Sequence, residues 1–460
     1  MNDDSESDSD RILSEFRSAP PIMNGDDSKT LNSSPDETVV NVQDSNKLDS
    51  VNYRRLPKAS WRYTFSSLSN PGFLYLWVSM ITMMAGMQMQ MLARGYLIYD
   101  ITGSASLLGI VNAAHALPML GLALFGGAIA DRFERKRLIQ IGQIVPAALA
   151  LGIGITIFTD NIQWYHLMFV SIIQGSMFSF MMPARQAIIP QLVGKESLSN
   201  AMAINAAGMS VMTLVAPAIA GILYAWTGPA NVYFVIAALN ILAVVFTVFV
   251  PKTGTVSSAS KGPILGDIAA GLTYIKQTHI VRILLIMGLA TTLLAMPFRF
   301  LMPVFVVDVY NKGPESMGLL IAIMGGGSLV GSLFIASIGQ WRRGMILIIG
   351  SFVSALALLL LAFLPFYFAA AAIMILLGLG DAGRRTINQS LVMEKTDALF
   401  QGRVMSVFMM NFGLMPLGVL PAGILIDIVG GQVVIGLLGL VLLIFTFIIL
   451  FTQKNLRNAS

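Results

Sequence analysis

The sequence predicts an all-α membrane protein with twelve transmembrane helices in two groups of six. Three observations support this prediction. Of the 460 residues, 55% are hydrophobic and 12% are charged, which is about half the charged fraction of a soluble globular chain. Apolar runs of about 20 residues, the length that crosses a bilayer, occur twelve times. A polar segment at 251–263 separates the first six runs from the last six.

The twelve runs and their loops fill the region from 70 to 453, at about 32 residues per helix, which fits short connections between bilayer-spanning segments. The first six predicted helices span 73–98, 104–129, 137–158, 164–188, 200–226 and 231–250. The last six span 281–307, 316–338, 344–364, 367–392, 404–428 and 432–452.

The flanking segments differ in composition from the helical region. Residues 1–50 contain 12 acidic and 4 basic side chains, whereas 51–460 contain 12 acidic and 25 basic ones. Because a highly charged segment with few aromatic residues buries too little surface to fold, a disordered acidic tail is predicted. The predicted domains are the tail at 1–66, a six-helix bundle at 67–250, a linker with an amphipathic helix at 251–280, a second bundle at 281–453 and a short tail at 454–460.

Basic residues in the loops predict the orientation. One side has only Lys312. Since cytoplasmic loops carry an excess of lysine and arginine, both termini are predicted to be cytoplasmic in a multi-pass protein of the cell (inner or plasma) membrane. The basic residues on the predicted cytoplasmic side are Arg54, Arg55, Lys58, Arg62, the Arg132–Arg137 cluster, Lys195, Lys252, Lys261, Lys276, Arg342, Arg343, Lys395, Arg403, Lys454 and Arg457.

The two groups of helices share sequence motifs, which predicts two pseudo-symmetric bundles. Ala220-Gly-Ile-Leu recurs as Ala422-Gly-Ile-Leu, and each copy is followed by a glycine at the same spacing. Leu108-Gly109 matches Met317-Gly318, and Arg135-Lys136 matches Arg342-Arg343. An internal duplication of this kind is typical of secondary transporters, whose substrate site lies between the halves near the bilayer midplane.

Several functional classes are excluded by what the sequence lacks. It has no cysteine, no phosphate-binding loop, no metal-ligand cluster and no catalytic constellation, so we predict neither an enzyme nor a cofactor. Energy would then come from an ion or substrate gradient. The basic balance follows membrane topology and does not indicate nucleic acid. The predicted partners are a small-molecule substrate, membrane lipids and a coupling proton, and the predicted state is a monomer.

A basic loop joins the second and third predicted helices and has the pattern Gly-x-x-x-Asp-Arg-x-x-Arg-Lys. It resembles the loop between helices 2 and 3 of the major facilitator superfamily. The resemblance implies a gate, because an aspartate beside a helix end can accept hydrogen bonds from a neighbouring helix N-terminus when that side closes. The implied gating residues are Gly127, Asp131, Arg132, Arg135 and Lys136, with Arg185 in the fourth helix as a partner.

Further segments across residues 70–453 resemble one branch of that superfamily, the siderophore exporters and macrolide-type efflux proteins. They include Tyr96–Ser104, Pro183-Ala-Arg-Gln-Ala187 and Gly402-Arg-Val-Met-Ser406. The resemblance implies a secondary active transporter that exports a small organic molecule by alternating access. The alternatives are an importer or lipid flippase on the same fold, and a non-transporting sensor or scaffold. Ser171 stands where drug/proton antiporters have an arginine, so the proton-antiport analogy is partial.

Arginines inside the predicted helices suggest where a substrate binds. Charged residues at this depth usually face a cavity or a partner, and arginine suits carboxylate, phosphate and phenolate groups. We therefore expect a siderophore-like, drug-like or anionic amphipathic substrate. The alternative is that Arg94 and Arg299 extend to the outer interface while Arg384 pairs with Asp381. The candidate substrate-binding residues are Gln88, Arg94, Arg299, Arg384 and Arg385.

Two titratable side chains are candidates for proton coupling. Asp381 is the one acidic residue near the middle of a predicted helix, and His115 lies within the second helix. Histidine changes charge near physiological pH, although a single histidine in a membrane helix is often a packing residue. Asp381 is the preferred candidate.

Overall fold

The computed structural model describes residues 65–132, 134–251, 264–338 and 342–457. Within these ranges the chain is helical, without strands, and twelve helices are long and apolar enough to cross a membrane. The predicted fold class is therefore confirmed. The predicted acidic tail, up to residue 64, and the polar part of the linker at 252–263 lie outside the described residues.

The first half contains six helices, each close to its predicted span. Asn70 caps the first helix through its side chain, which accepts a hydrogen bond from the Phe73 amide, and Gly103 ends it with a φ of 59°. Both are residue types that favour these positions. The helices are α1 Pro71–Thr102, α2 Ala105–Arg132, α3 Arg135–Phe158, α4 Trp164–Gly194, α5 Ser197–Thr227 and α6 Pro229–Val248.

The second half follows the linker helix Ile264–Gln277. Its helices are α7 His279–Phe300, α8 Pro314–Ile338, α9 Arg343–Phe363, α10 Tyr367–Glu394, α11 Gln401–Val429 and α12 Gly431–Thr452.

Four helices depart, at three places, from the uninterrupted, separate segments expected from the sequence. Helices α4 and α5 form one helical run with a kink at Gly194, whose φ of 72° is rarely accessible to other residues. Helix α7 is interrupted at Ala295 and Leu301, next to Pro297, and short helical turns continue it to Val309. Helix α11 is interrupted just before Pro416. At the breaks in α7 and α11, the proline residues have no backbone N–H group to donate a hydrogen bond.

The helices end at two faces of opposite charge. Since the described chain crosses twelve times, residues 65 and 457 lie on the same face, here named the basic face. The other, named the acidic face, carries Lys312 and the carboxylates of Asp100, Asp160, Asp308, Glu315 and Asp427 at helix ends. The described basic residues of the basic face include Arg135, Lys136, Arg137, Lys276, Arg343, Lys395, Arg403 and Lys454.

The two halves contact each other through α2 with α11 and through α5 with α8. These contacts use the repeated motifs. A Cβ atom on Gly221 in α5 would overlap the carbonyl of Pro314, the first residue of α8. A Cβ on Gly423 in α11 would overlap the carbonyl of Ala105, the first residue of α2. The matching sequence motifs therefore form equivalent contacts across the pseudo-symmetric boundary.

Packing inside each half repeats as well. The carbonyl of His115 in α2 lies where a Cβ on Gly175 of α4 would be, and the carbonyl of Met324 in α8 lies likewise against Gly378 of α10. His115 and Met324 each lie ten residues after the first residue of their helix, and the two glycines eleven residues after theirs. Small residues at these crossings allow close approach of the helix backbones.

The apolar core differs between the two faces. The largest cluster lies in the acidic-face part of the helices and joins both halves, with Leu97 and Tyr224 of the first and Phe305 and Val419 of the second. Towards the basic face, one cluster contains only first-half residues, and another contains second-half residues with Ile275 of the linker helix. Among the described residues, shared core packing therefore lies at the acidic face.

Candidate functional site

An ion cluster lies on α10 in the second half. Asp381 Oδ1 lies 2.5 Å from Arg384 Nη2, and its Oδ2 lies 3.2 Å from Arg385 Nη2. The three residues share one helix face because their spacing is i, i+3 and i+4. Arg299, from the segment of α7 after its first break, lies within electrostatic reach of Asp381 and Arg385. Among the described residues, two arginines thus pair with one carboxylate, and a third lies within electrostatic reach of it.

This cluster borders a cavity between α7, α10 and α11. Several of its buried polar atoms have no hydrogen-bond partner among the described residues: Arg384 Nη1, Asn388 Oδ1 and Asn411 Nδ2. The residues that line the cavity are Gly288, Thr291, Thr292, Met296, Asp381, Arg384, Arg385, Asn388, Phe408 and Asn411. The sequence did not single out the two asparagines, although amide side chains inside apolar helices were a signal that could have identified them.

Arg94 is separate from this cluster and lies inside the first half. It is 8% exposed, so it does not extend to the outer interface. Its Nη1 donates a hydrogen bond of 2.9 Å to Ser171 Oγ on α4. Counted from the first residue of its helix, Arg94 lies 23 residues along and Arg299 lies 20. The two arginines therefore occupy different positions of the repeat.

The first half has a cavity of its own, which is rich in methionine. Gln174 Nε2 donates to Gln90 Oε1 at 3.0 Å across it, while Gln90 Nε2 and His115 Nδ1 have no partner among the described residues. Gln88 is buried but is not a lining residue; Gln90, two positions along, lines the cavity instead. The lining residues are Met83, Met87, Gln90, His115, Gly142, Pro146, Gln174, Met177, Phe178, Met181 and Asn240.

The two candidate coupling residues lie in different cavities. Asp381 lines the second-half cavity, where it is paired with arginines. His115 lines the first-half cavity, where Arg94 lies within electrostatic reach. The structure therefore does not bring the two titratable groups into one relay.

The predicted basic-face gate is described in part. The surroundings of Gly127 and the side chains of Asp131 and Arg132 lie outside the described part of the structure. Arg135, the first residue of α3, is buried and donates through Nη1 to the Ala187 carbonyl at 3.2 Å. Lys136 Nζ donates to the carbonyls of Val248 and Val250 at 2.7 Å each, which satisfies the carboxyl end of α6. Both contacts stay within the first half.

Arg185, the predicted partner of Asp131, is 2% exposed on α4. Its Nη1 lies 3.4 Å from Met83 Sδ, and its Nε and Nη2 have no partner among the described residues. It lies 21 residues after the first residue of α4, as Asn388 does in α10. The repeat therefore places an unsatisfied buried polar group at equivalent positions of both halves.

The acidic face contains a contact that the sequence did not predict. Asp427 on α11 accepts hydrogen bonds from the amides of Ala105 at 2.7 Å and Ser106 at 2.9 Å, and from Ser104 Oγ at 2.9 Å. A carboxylate from one half thus caps the amino end of α2 in the other, where the helix dipole favours a negative charge. The Tyr99 hydroxyl also donates to Asp308 across the halves.

A family comparison adds to this geometry. Residues 62–459 match the model of a family described as transmembrane secretion effector, within the major facilitator superfamily. The chain belongs to this family. Family membership, the twelve helices and the relatives described below identify a multi-pass membrane transporter of small molecules and not an enzyme.

Curated relatives of this family member are efflux and siderophore transporters. Macrolide efflux protein A of Streptococcus pyogenes is 24% identical over 343 residues, which cover 73% of this chain and 84% of that protein. The Staphyloferrin A transporter of Staphylococcus aureus is 26% identical over 367 residues, covering 77% and 89%. Enterobactin exporter EntS of Salmonella typhimurium is 25% identical over 350 residues, covering 75% and 84%.

Solved structures show the same fold at low sequence identity. The nucleoside transporter NupG aligns with a TM-score of 0.68 at 14% identity, covering 83% of this chain and 99% of NupG. A POT family transporter in complex with 5-aminolevulinic acid aligns with a TM-score of 0.65 at 15% identity, covering 85% and 96%. These likenesses establish the fold of this family member and carry no information on its substrate.

Proposed function

We propose that this protein is a secondary active exporter of small, anionic amphipathic molecules. The observation that carries the proposal is the excess of positive charge beside the second-half cavity, where Arg384 and Arg385 pair with Asp381 and Arg299 lies within electrostatic reach of it. Charges inside a membrane protein require partners or a cavity ligand. An anionic substrate supplies the missing negative charge, and guanidinium groups bind carboxylate, phosphate or phenolate oxygens in bidentate fashion.

The outward direction is supported by the relatives, whose names describe macrolide efflux, enterobactin export and staphyloferrin A transport. These names also support siderophore-like or drug-like cargo. The methionine-lined cavity of the first half suits varied apolar groups, because methionine side chains are flexible and polarisable. An amphipathic molecule would bind the arginines through its acidic group and the methionine-lined cavity through its apolar part.

Alternating access is supported by the distribution of core packing. Shared packing at the acidic face and separate clusters towards the basic face fit an inward-facing state. In this state Asp427, with the Tyr99–Asp308 contact, holds the acidic face closed. The basic loops favour the cytoplasm, so the substrate would enter from the cytoplasm of a cell-membrane protein with both termini inside.

Gating, coupling and assembly complete the proposed mechanism. Asp131 and the basic loop, with Arg185, would close the basic face when the halves rock, as the family pattern implies. A proton is the proposed coupling ion, with Asp381 as its carrier. Because each gate is built within one chain, the proposed working unit is a monomer in contact with membrane lipids.

Transport of a permanently charged amphipathic anion tests the proposal. Naphthalene-1-sulfonate flux would be measured in proteoliposomes containing wild-type protein, Arg299→Glu or the exposed control Lys454→Gln. We expect Arg299→Glu to lower the flux at least about tenfold, since bonds to charged groups are worth about 1.5–3 kcal/mol. Lys454→Gln should match wild type. Equal flux for Arg299→Glu and wild type would refute the substrate-binding role of the cluster.

A further inference from the structure

Three unsatisfied polar atoms lie together in the second-half cavity. Arg384 Nη1 and Asn411 Nδ2 are hydrogen-bond donors, and Asn388 Oδ1 is an acceptor; all three are buried and have no partner among the described residues. Buried polar groups in folded proteins are nearly always paired. Both asparagine residues are over nine-tenths buried. The cavity therefore offers two donors and one acceptor to a ligand.

Gly288 on α7 makes room for this arrangement. A Cβ atom at this position would lie 2.8 Å from Asn388 Nδ2 and 3.2 Å from Asn411 Nδ2. The first distance is shorter than real Cβ contacts, so any larger residue would displace an amide. The absence of a side chain on α7 thus lets two amides, from α10 and α11, occupy the same small space.

Arg384 connects the amides to the ion cluster. Its Nη2 pairs with Asp381, while its Nη1 is the unsatisfied donor beside the cavity. The excess positive charge and the amide pair are therefore parts of one site, joined through a single guanidinium group. A ligand that satisfies both parts needs an anionic group and, close to it, a group that both donates and accepts hydrogen bonds.

We propose that Asn388 and Asn411 select hydroxylated organic acids. The hydroxyl hydrogen of the substrate donates to Asn388 Oδ1, its oxygen accepts from Asn411 Nδ2, and the neighbouring carboxylate or other acidic group binds the arginines. This inference rests on the proposed function, since it assumes that the cluster binds the anionic end of the substrate. In this proposal the asparagines recognise the hydroxyl group of the substrate, and the arginines bind its acidic group.

Two acids that differ by one hydroxyl group test the proposal. Mandelate and phenylacetate share a phenyl ring and a carboxylate, and only mandelate carries the α-hydroxyl. Affinities would be measured by titration calorimetry on the purified full-length protein. We expect wild-type protein to bind mandelate at least about tenfold more tightly, since two added hydrogen bonds separate the ligands.

Variants assign the preference to the named residues. Asn388→Leu, Asn411→Leu and Gly288→Ala should each bring the ratio of mandelate to phenylacetate affinity close to one, whatever their effect on the affinity for phenylacetate itself. Asn112→Leu is the matched control, because Asn112 is a buried asparagine on α2 whose amide bonds to the Leu108 carbonyl. It should keep the wild-type preference. Since the wild-type comparison requires no substitution, misfolding of a variant cannot hide the result.

The remaining outcomes separate this inference from the function on which it rests. Equal wild-type affinity for the two acids, with both lost in Arg299→Glu, would overturn the hydroxyl selection and leave the anion site intact. Failure of wild-type protein to bind either acid would overturn the anion site as well. A mandelate preference that survives in both asparagine variants would remove these residues from the site.

Discussion

Gly221 and Gly318 face each other across the boundary between the two halves, and a Cβ atom built on either would lie 3.2 Å from the Cα of the other. The contact joins α5 to α8 near the acidic face. Since apolar side chains gain little by associating within lipid, helices in membranes pack closely through small residues. The paired glycines therefore set how closely the halves approach at this contact.

Replacing Gly221 by leucine should separate the halves at this point. Overpacking of a tight contact costs about 1–3 kcal/mol, so we expect a lower melting temperature and slower transport. Gly152→Leu is the control, because Gly152 is an exposed helical glycine where an added Cβ would meet no neighbouring group within 4 Å. Thermal unfolding in detergent and flux in proteoliposomes measure both effects. Unchanged melting of Gly221→Leu would show that the contact is not tight.

Asp427→Asn should loosen the acidic face. The amide retains one acceptor oxygen but loses the charge that caps α2, a contribution of about 0.3–2 kcal/mol. We expect a larger outward-open population. The chain has no cysteine, so single introduced cysteines can report the accessibility of α2 and α11 to a hydrophilic thiol reagent. Asp160→Asn, an exposed acid on the same face, is the control. A labelling pattern identical in wild type and Asp427→Asn would contradict a gate at this position.

Arg185→Met should stabilise the protein and impair transport. The buried guanidinium has unsatisfied Nε and Nη2 atoms, and its Nη1 contacts Met83 Sδ. Replacement of a poorly paired buried charge by an apolar residue often stabilises a protein by about 1–4 kcal/mol. A higher melting temperature together with lower flux would show that Arg185 serves transport at the expense of stability. Lys312→Met, an exposed control, should change neither quantity. A less stable but fully active Arg185→Met would argue for a structural role.

Proton coupling should depend on Asp381 and not on His115. If Asp381 carries the coupled proton, Asp381→Asn loses flux driven by an imposed pH gradient but retains exchange of labelled for unlabelled substrate at equal pH. His115→Asn should retain both activities, because His115 lies in the other cavity. Proteoliposome assays with and without a pH gradient distinguish the two residues. Loss of gradient-driven flux in His115→Asn alone would reverse the assignment.

The fold was largely predictable from the sequence because bilayer thickness fixes the length of each apolar run. All twelve predicted helices are present, and the repeated motifs at Gly221 and Gly423 lie at equivalent contacts. The breaks in α7 and α11 were not predicted. Proline residues such as Pro297 were visible, but a proline can kink, break or simply bend a membrane helix, and the surrounding packing decides which of these occurs.

The site was predictable in its charges and not in its amides. Arg299, Arg384 and Arg385 stand out in apolar helices, and the structure brings them together around Asp381. Arg94 stands out equally, yet it lies apart from them, because charge alone does not reveal which face of a helix a residue occupies. Asn388, like Gln90, was missed for the complementary reason that uncharged polar residues resemble ordinary helix-packing groups until a cavity is seen.

The concentration of positive charge in the second half has an electrical consequence. The arginines remain with the protein, so under the proposed export the charge that leaves the cell would be that of the cargo less that of any counter-transported ion. A resting potential that is negative inside favours the exit of an anion by about 2.3 kcal/mol per elementary charge for each 100 mV. A substrate with two negative charges would therefore be driven outward by the membrane potential alone. Removing an inside-negative potential across the vesicle membrane should slow its release.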